Sequence, residues 1–113
     1  MAQYLISFND GAMNFPEDEL PAVADAAHAV VREAKDAGVF VFTGGLPHNA
    51  QLSIAEPDGT ITDGPFPETK EQIGGVFVVE VPSREAALEW ATKVAAACRC
   101  AQQVREFLHD PEL

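Results

Sequence analysis

The chain has 113 residues, of which 47% are hydrophobic and 22% charged, and its formal net charge is −11. A single domain of this length buries roughly two-thirds of its unfolded surface, and so ordinary a composition excludes a chain disordered throughout. The acidic excess excludes the basic footprint that nucleic acid or an anionic membrane surface requires, and its plain reading is solubility.

No apolar run approaches the roughly 18 residues of a membrane span. The N-terminus Met1–Ile6 lacks the basic region and long apolar core of a signal peptide, so a cytoplasmic location is the expectation. Cys98 and Cys100 form a Cys-x-Cys pair without a second Cys or His cluster nearby. A zinc site takes four ligands, and a disulfide between such close neighbours is strained, so both read as reduced structural thiols.

The first strand is predicted over Tyr4–Phe8, a short run with aromatic and β-branched residues, and Asn9-Asp10-Gly11 ends it with turn chemistry. After an acid-rich loop from Asn14 to Leu20, a helix is expected over Pro21–Ala37. Proline suits the first helical turn, where its missing N–H has no helical partner. Glu17, Asp18 and Glu19 lie at the positive end of the helix dipole. Leu20, Val23, Ala24, Ala27, Val31 and Ala34 recur at the spacing of one buried face, and Gly38 stops the helix. Val39–Thr43 reads as a strand apolar on both sides, which predicts an interior position with both faces covered, and Gly44-Gly45-Leu46-Pro47 breaks it.

Two weaker strands, Gln51–Ala55 and Gly59–Thr62, flank the turn Glu56-Pro57-Asp58-Gly59. Val76–Val81 is the strongest strand pattern. Pro82 ends it and Ser83 caps a helix running to about Ala97, with Ala87, Trp90, Ala91 and Val94 on one face. Ala101–Phe107 reads as the last strand. The order predicts an α+β, ferredoxin-like βαββαβ domain over residues 1–113, a four-stranded antiparallel sheet with two helices on one face. Such a sheet leaves an apolar face bare, a liability in a monomer, and two-fold pairing of two copies covers it. A homodimer is therefore expected.

The connection Thr62–Gly75 is longer than the usual 4–6 residues and chemically varied. Its Asp63-Gly64-Pro65-Phe66 and Glu68-Thr69-Lys70-Glu71-Gln72-Ile73-Gly74-Gly75 runs, with Ala37-Gly38-Val39 leading to Thr43-Gly44-Gly45-Leu46 and with Glu85–Ala91, resemble the YCII-related family, in particular its DGPF branch. The resemblance spans nearly the whole chain. It implies a dimeric α/β barrel in which two ferredoxin-like units pack sheet to sheet. It also implies a His–Asp active centre, with His28 matching the family histidine and Asp10 the family aspartate. One branch resembles a dehydrochlorinase acting on a hydroxylated aromatic, and DGPF members are associated with alternative sigma factors.

On residue chemistry alone, His28 sits about 80° around the helix from Leu20, at the rim of the apolar face. Histidine is the natural acid/base near neutral pH, and Asp10 is placed to orient its ring. Ser7 and Thr43 are hydroxyl donors, but no G-x-S-x-G elbow surrounds a serine, which argues against covalent acyl chemistry. Thr43, Gly44, Gly45, Asp63 and Lys70 are the expected ligand-binding residues. Lys70 is the lone Lys or Arg between Lys35 and Arg84, hence the best counter-charge for an anion. The Thr62–Gly75 connection reads either as a lid on a cleft or as an internally bonded loop.

A calcium loop over Asp58–Thr69 fails at its sixth and twelfth positions, and Gly74-Gly75 precedes a strand rather than a phosphate-binding helix. Neither a metal nor a cofactor is expected. Two functions follow: a cofactor-independent acid/base enzyme (lyase, isomerase or hydrolase) on a small polar or aromatic molecule, or a non-catalytic metabolite-binding or regulatory module.

Overall fold

Strand β1 (Ala2–Asn9) leads through a 3-10 turn (Glu17–Glu19) into helix α1 (Leu20–Asp36). The chain continues as β2 (Phe40–Gly45), the short strands β3 (Ser53–Ala55) and β4 (Ile61–Asp63), β5 (Ile73–Val81), helix α2 (Arg84–Cys98) and β6 (Gln103–Glu106). The computed structural model describes residues 1–48, 50–64 and 72–113.

The main sheet has the order β2-β5-β1-β6 with every pairing antiparallel, the ferredoxin-like arrangement expected from the sequence. β3 and β4 add a separate hairpin between the second and third strands of that sheet's chain order. Its turn is held by Glu56 N–H to the Thr60 carbonyl (2.8 Å), by Thr60 N–H to Asp58 Oδ1 (2.9 Å) and by a left-handed Gly59 at φ 92°. Carboxylate capping of that N–H holds Asp58 below its ordinary pKa.

Alternation along the strands divides the sheet cleanly. Tyr4 and Ile6 of β1 and Phe77, Val79 and Val81 of β5 are buried with Val30 and Ala34 of α1 and Ala87, Ala91, Val94 and Ala97 of α2. Phe40 completes this layer, its ring edge-on to Phe77 at 5.7 Å. Ser83 Oγ accepts from Ala86 N–H at 3.2 Å, so α2 starts at the cap its sequence specifies. The helices are tied together by the Lys93–Glu33 ion pair. Arg99, left-handed at the end of α2, pairs with Glu19 at 3.1 Å and lies over the Phe15 ring, which fastens the connection preceding α1.

Three expectations are corrected. β2 is an edge strand rather than an interior one, with Val41 and Phe42 exposed at 44% and 58%. Gly44-Gly45 does not break it; both residues pair with β5, opposite Val76 and Gly75, and the strand ends only where Leu46 N–H reaches the Gly74 carbonyl (2.8 Å). In α1 the buried stripe runs through Val23, Val30 and Ala34. Leu20, at the first helical position, is exposed, while Ala27 and Val31 are half-buried and line a cleft, Val31 also packing against the core.

The second face of the sheet carries the other alternate residues: Phe42, Val78, Leu5 and Arg105 lie in one cross-strand row, and Gly44, Val76, Ser7 and Gln103 in the next. The least extent of the molecule is 19 Å, the thickness of one helix layer on one sheet. Among the described residues no helix is long and apolar enough to cross a membrane.

Burial pushes the Cys98 and Cys100 thiols above their ordinary value of 9.0, and burial with the nearby Glu106 does the same to the Tyr4 phenol. Each group holds its proton more tightly folded than unfolded. Its contribution is therefore complete below the unfolded pKa and lost as pH rises through the folded one. The melting temperature is expected to hold near neutrality and to fall as pH climbs past about 9. Thermal melts across that range, repeated on Cys98→Ala, check it; the variant is expected to flatten the alkaline decline.

Candidate functional site

β1 and β2 both run antiparallel to β5, so their C-terminal ends meet the start of β5 at one edge of the sheet. Two adjoining clefts open there among the described residues. The inner one, about 250 Å³, lies between the sheet and the helices, and most of its wall is apolar: Phe8, Met13, Val30, Val31, Phe77 and Val94. Its polar lining includes His28, Thr43 and Gln102. The outer one, about 500 Å³, is bounded by Asp10, Gly11, Asn14, Leu46, His48 and Gly74. Phe8, Met13 and Gly45 line both and form the partition between them.

The partition depends on glycine. Pairing of β1 with β5 slips between Phe8, which faces Gly75, and Asn9, which faces Ile73, leaving Gly74 as the extra residue of a bulge. A Cβ on Gly75 would stand 2.5 Å from the Phe8 ring, and one on Gly74 would stand 2.9 Å from that ring and 3.0 Å from the Asp10 backbone. Both glycines thus let the Phe8 ring lie against the β5 backbone. The bulge also directs the chain outward, where Asp10 N–H bonds the Gln72 carbonyl at 2.7 Å, Ala12 N–H bonds the Asn9 carbonyl at 3.0 Å and Gly11 takes φ 84°. Asp10 is held at the cleft by this turn.

The carboxylate of Asp10 meets an imidazole, but not the one expected. His48 Nδ1 lies 3.1 Å from Asp10 Oδ1, on the connection that follows β2. His28, on α1, lines the inner cleft while Asp10 lines the outer one. The two residues expected to pair are thus set in neighbouring clefts, and the partner that Asp10 takes is His48. A carboxylate accepts only from a protonated ring nitrogen, so this bond fixes the proton on Nδ1 and leaves the Nε2 lone pair free in the neutral ring.

Thr43, Gly44 and Gly45 line the inner cleft. The Thr43 hydroxyl donates to the Val76 carbonyl at 2.8 Å, so toward a ligand it offers oxygen lone pairs rather than its proton. Ser7 is buried on the second sheet face, between Val76 and Gln103 across the strands. Asp63 ends β4, pairs with Ser53 and is exposed in the hairpin sheet, apart from both clefts. A Cβ on Gly64 would stand 1.9 Å from Leu52 Cδ2, so any larger residue there requires the Leu52 side chain to shift. Lys70 and the Pro65-Phe66 part of the connecting segment lie outside the described residues, and with them the reading of that segment as a lid.

Cys98 also lines the inner cleft, with its thiol pushed toward the protonated, unreactive form. Among the described residues no group of three His, Cys, Asp or Glu side chains is placed to hold a metal ion.

His48 and the Phe8–Met13 partition carry no local sequence signal, since His48 follows Gly-Gly-Leu-Pro in a loop. The available signal is topological. With the ferredoxin-like order assumed, residues just after the first and second strands share one sheet edge, which brings Asp10 and His48 together.

No curated protein matches the chain. The model of the YCII-related domain matches residues 3–107, which is nearly the whole fold including both clefts, and the chain belongs to the YCII-related family.

Proposed function

We propose that this protein is a small cofactor-independent acid/base enzyme, a lyase, isomerase or hydrolase, acting on a small molecule with an aromatic or otherwise apolar body and a polar end. His28 and Asp10 are its acid/base candidates, and Thr43, Gly44 and Gly45 contact the bound molecule. The observation that carries this reading is the junction itself: an apolar cleft with an imidazole on its wall opens directly beside a cleft holding a carboxylate–imidazole pair. Apolar walls with a few convergent polar groups are the usual form of a small-molecule site. The Asp63-Gly64-Pro65-Phe66 run supports membership of the DGPF branch.

A panel of small aromatic and branched substrates for elimination, isomerisation and ester hydrolysis tests the reading. Turnover is expected in the native protein and loss of it in the Asp10→Asn/His28→Gln double variant. Saturable binding across the panel without any turnover would instead establish the metabolite-binding or regulatory alternative.

The protein acts as a homodimer formed through the second sheet face. Leu5, Val76, Val78 and Phe42 make that face apolar, and Phe42 is 58% exposed in the single chain. Phe42→Glu would place one carboxylate from each copy on the joined faces. The variant is expected to elute as a folded monomer in size-exclusion chromatography with light scattering, against a dimer for the native chain. A native monomer at micromolar concentration would refute the pairing.

A further inference from the structure

We infer that the proton-transferring group of this site is His48, with Asp10 as its positioning residue, and that His28 serves as a polar contact to the substrate body in the inner cleft. This inference rests on the acid/base reading above and reassigns its central role.

The argument begins from the orientation of the ring. Nδ1 of His48 is tied to Asp10 Oδ1 at 3.1 Å, so Nε2 is the atom left to take a proton. Nδ1 remains the donor to the Asp10 carboxylate when Nε2 takes up the proton, and the His48 side chain is 69% exposed. Asp10 is itself anchored by its backbone bond to Gln72 and by the bulge at Gly74, and its side chain is only 26% exposed. Among the described residues Asp10 pairs with His48, and no ion pair is formed by His28. Among the described residues Asp10 and His48 are the titratable side chains on the outer cleft wall. The neighbouring inner cleft adds His28 and Cys98.

The second line of argument is the division of chemistry between the clefts. The inner cleft is mostly apolar, with Phe8 and Phe77 available to a flat ring, and suits the part of a molecule that does not react. The outer cleft has about 500 Å³ against about 250 Å³, is more polar, and shares Phe8, Met13 and Gly45 with the inner one. A ring bound inside with a substituent that reaches beyond this shared wall would present that substituent to the dyad. The step is a proton transfer: Nε2 of His48 removes a proton from the substrate, the bonding pair stays with the substrate to form a multiple bond or expel a leaving group, and the proton is returned to product or to solvent.

5-Nitrobenzisoxazole is the probe, since it presents a flat ring and one acidic C–H. Removal of that proton leaves the electron pair to form a nitrile as the ring N–O bond breaks to a phenolate, whose absorbance reports the rate. A positioned general base contributes about 10²–10⁴-fold. His48→Gln is expected to lower kcat by about 10²-fold or more with little change in KM. His48→Ala should recover turnover when free imidazole is added, a rescue that a merely structural role would not give. Asp10→Asn is expected to lower kcat and shift the pH profile of kcat, with KM held. His28→Gln is expected to raise KM several-fold while the pH profile of kcat stays in place. His109→Gln, in the exposed tail, is the control, and circular dichroism with a thermal melt confirms that each variant is folded.

A large kcat loss in His48→Gln with imidazole rescue of His48→Ala supports the assignment. Full activity in His48→Gln with kcat lost in His28→Gln overturns it and leaves His28 as the acid/base group. Turnover by the native protein no faster than by an equal concentration of free imidazole overturns the His48 assignment, whereas the wider acid/base reading falls only when the substrate panel also shows no turnover.

Discussion

Gly75→Ala is expected to destabilise the protein by about 1–3 kcal/mol and to merge or close the two clefts. The added methyl would lie 2.5 and 2.7 Å from two atoms of the Phe8 ring and 3.4 Å from the Gly44 carbonyl, so it meets an aromatic ring on one side and the edge strand's backbone on the other. The ring is the side able to give. Its displacement moves the partition shared by both clefts and loosens the turn that carries Asp10 two residues later. Urea denaturation gives the stability change, and the 5-nitrobenzisoxazole rate gives the effect on the site; both are expected to fall. A variant with native stability and native rate would show that Phe8 does not depend on Gly75 for its position.

Ile6→Ala is expected to cost more stability, about 2–5 kcal/mol, and to leave the site's geometry nearly intact. Ile6 is fully buried, opposite Phe77 on one neighbouring strand and Val104 on the other, in the layer beneath the helices. Truncation loses its burial and leaves a cavity that close-packed neighbours fill only in part. Against a total of about 5–15 kcal/mol for a domain, this is a large fraction. The urea midpoint should drop well below that of Gly75→Ala. At temperatures where the variant remains folded, its rate per folded molecule should match the native chain. The contrast separates two positions on the same strand pair: Ile6 supports the core, and Gly75, opposite Phe8, supports the site.

Much of the fold was legible because its signals are local. Ser83 reads as a cap from its own chemistry and its place after Pro82, and it accepts the Ala86 N–H. The Glu56-Pro57-Asp58-Gly59 turn reads from the left-handed preference of glycine and the side-chain acceptor of aspartate, and both are used. The run Val39–Phe42 misled because an apolar strand is the same sequence whether it lies inside a sheet or at its edge. Gly44-Gly45 read as a breaker because glycine weakens strands in general, whereas here β5 pairs with both residues.

The site was less legible because it is built from strand ends. His28 could be placed on the rim of its helix by periodicity alone, and it lines the inner cleft. Pairing Asp10 with a histidine required knowing that β1 and β2 lie on either side of β5 with their ends aligned, and no spacing in the sequence encodes that. The Gly74-Gly75 pair is a similar case. It marks the family in the sequence, but its physical reason, room for the Phe8 ring and the Asp10 turn, is visible only in three dimensions.

The most direct test of the proposed two-cleft acid/base site is a crystal structure with 2-cyanophenol, the unsubstituted analogue of the phenol that the probe reaction releases. The ring is expected between Phe8 and Phe77 in the inner cleft, with its oxygen directed past Met13 toward His48 and with the Asp10–His48 bond in place. A ring seated elsewhere, such as on the Phe42–Val78–Leu5 face, with His48 turned away from Asp10, would contradict the account.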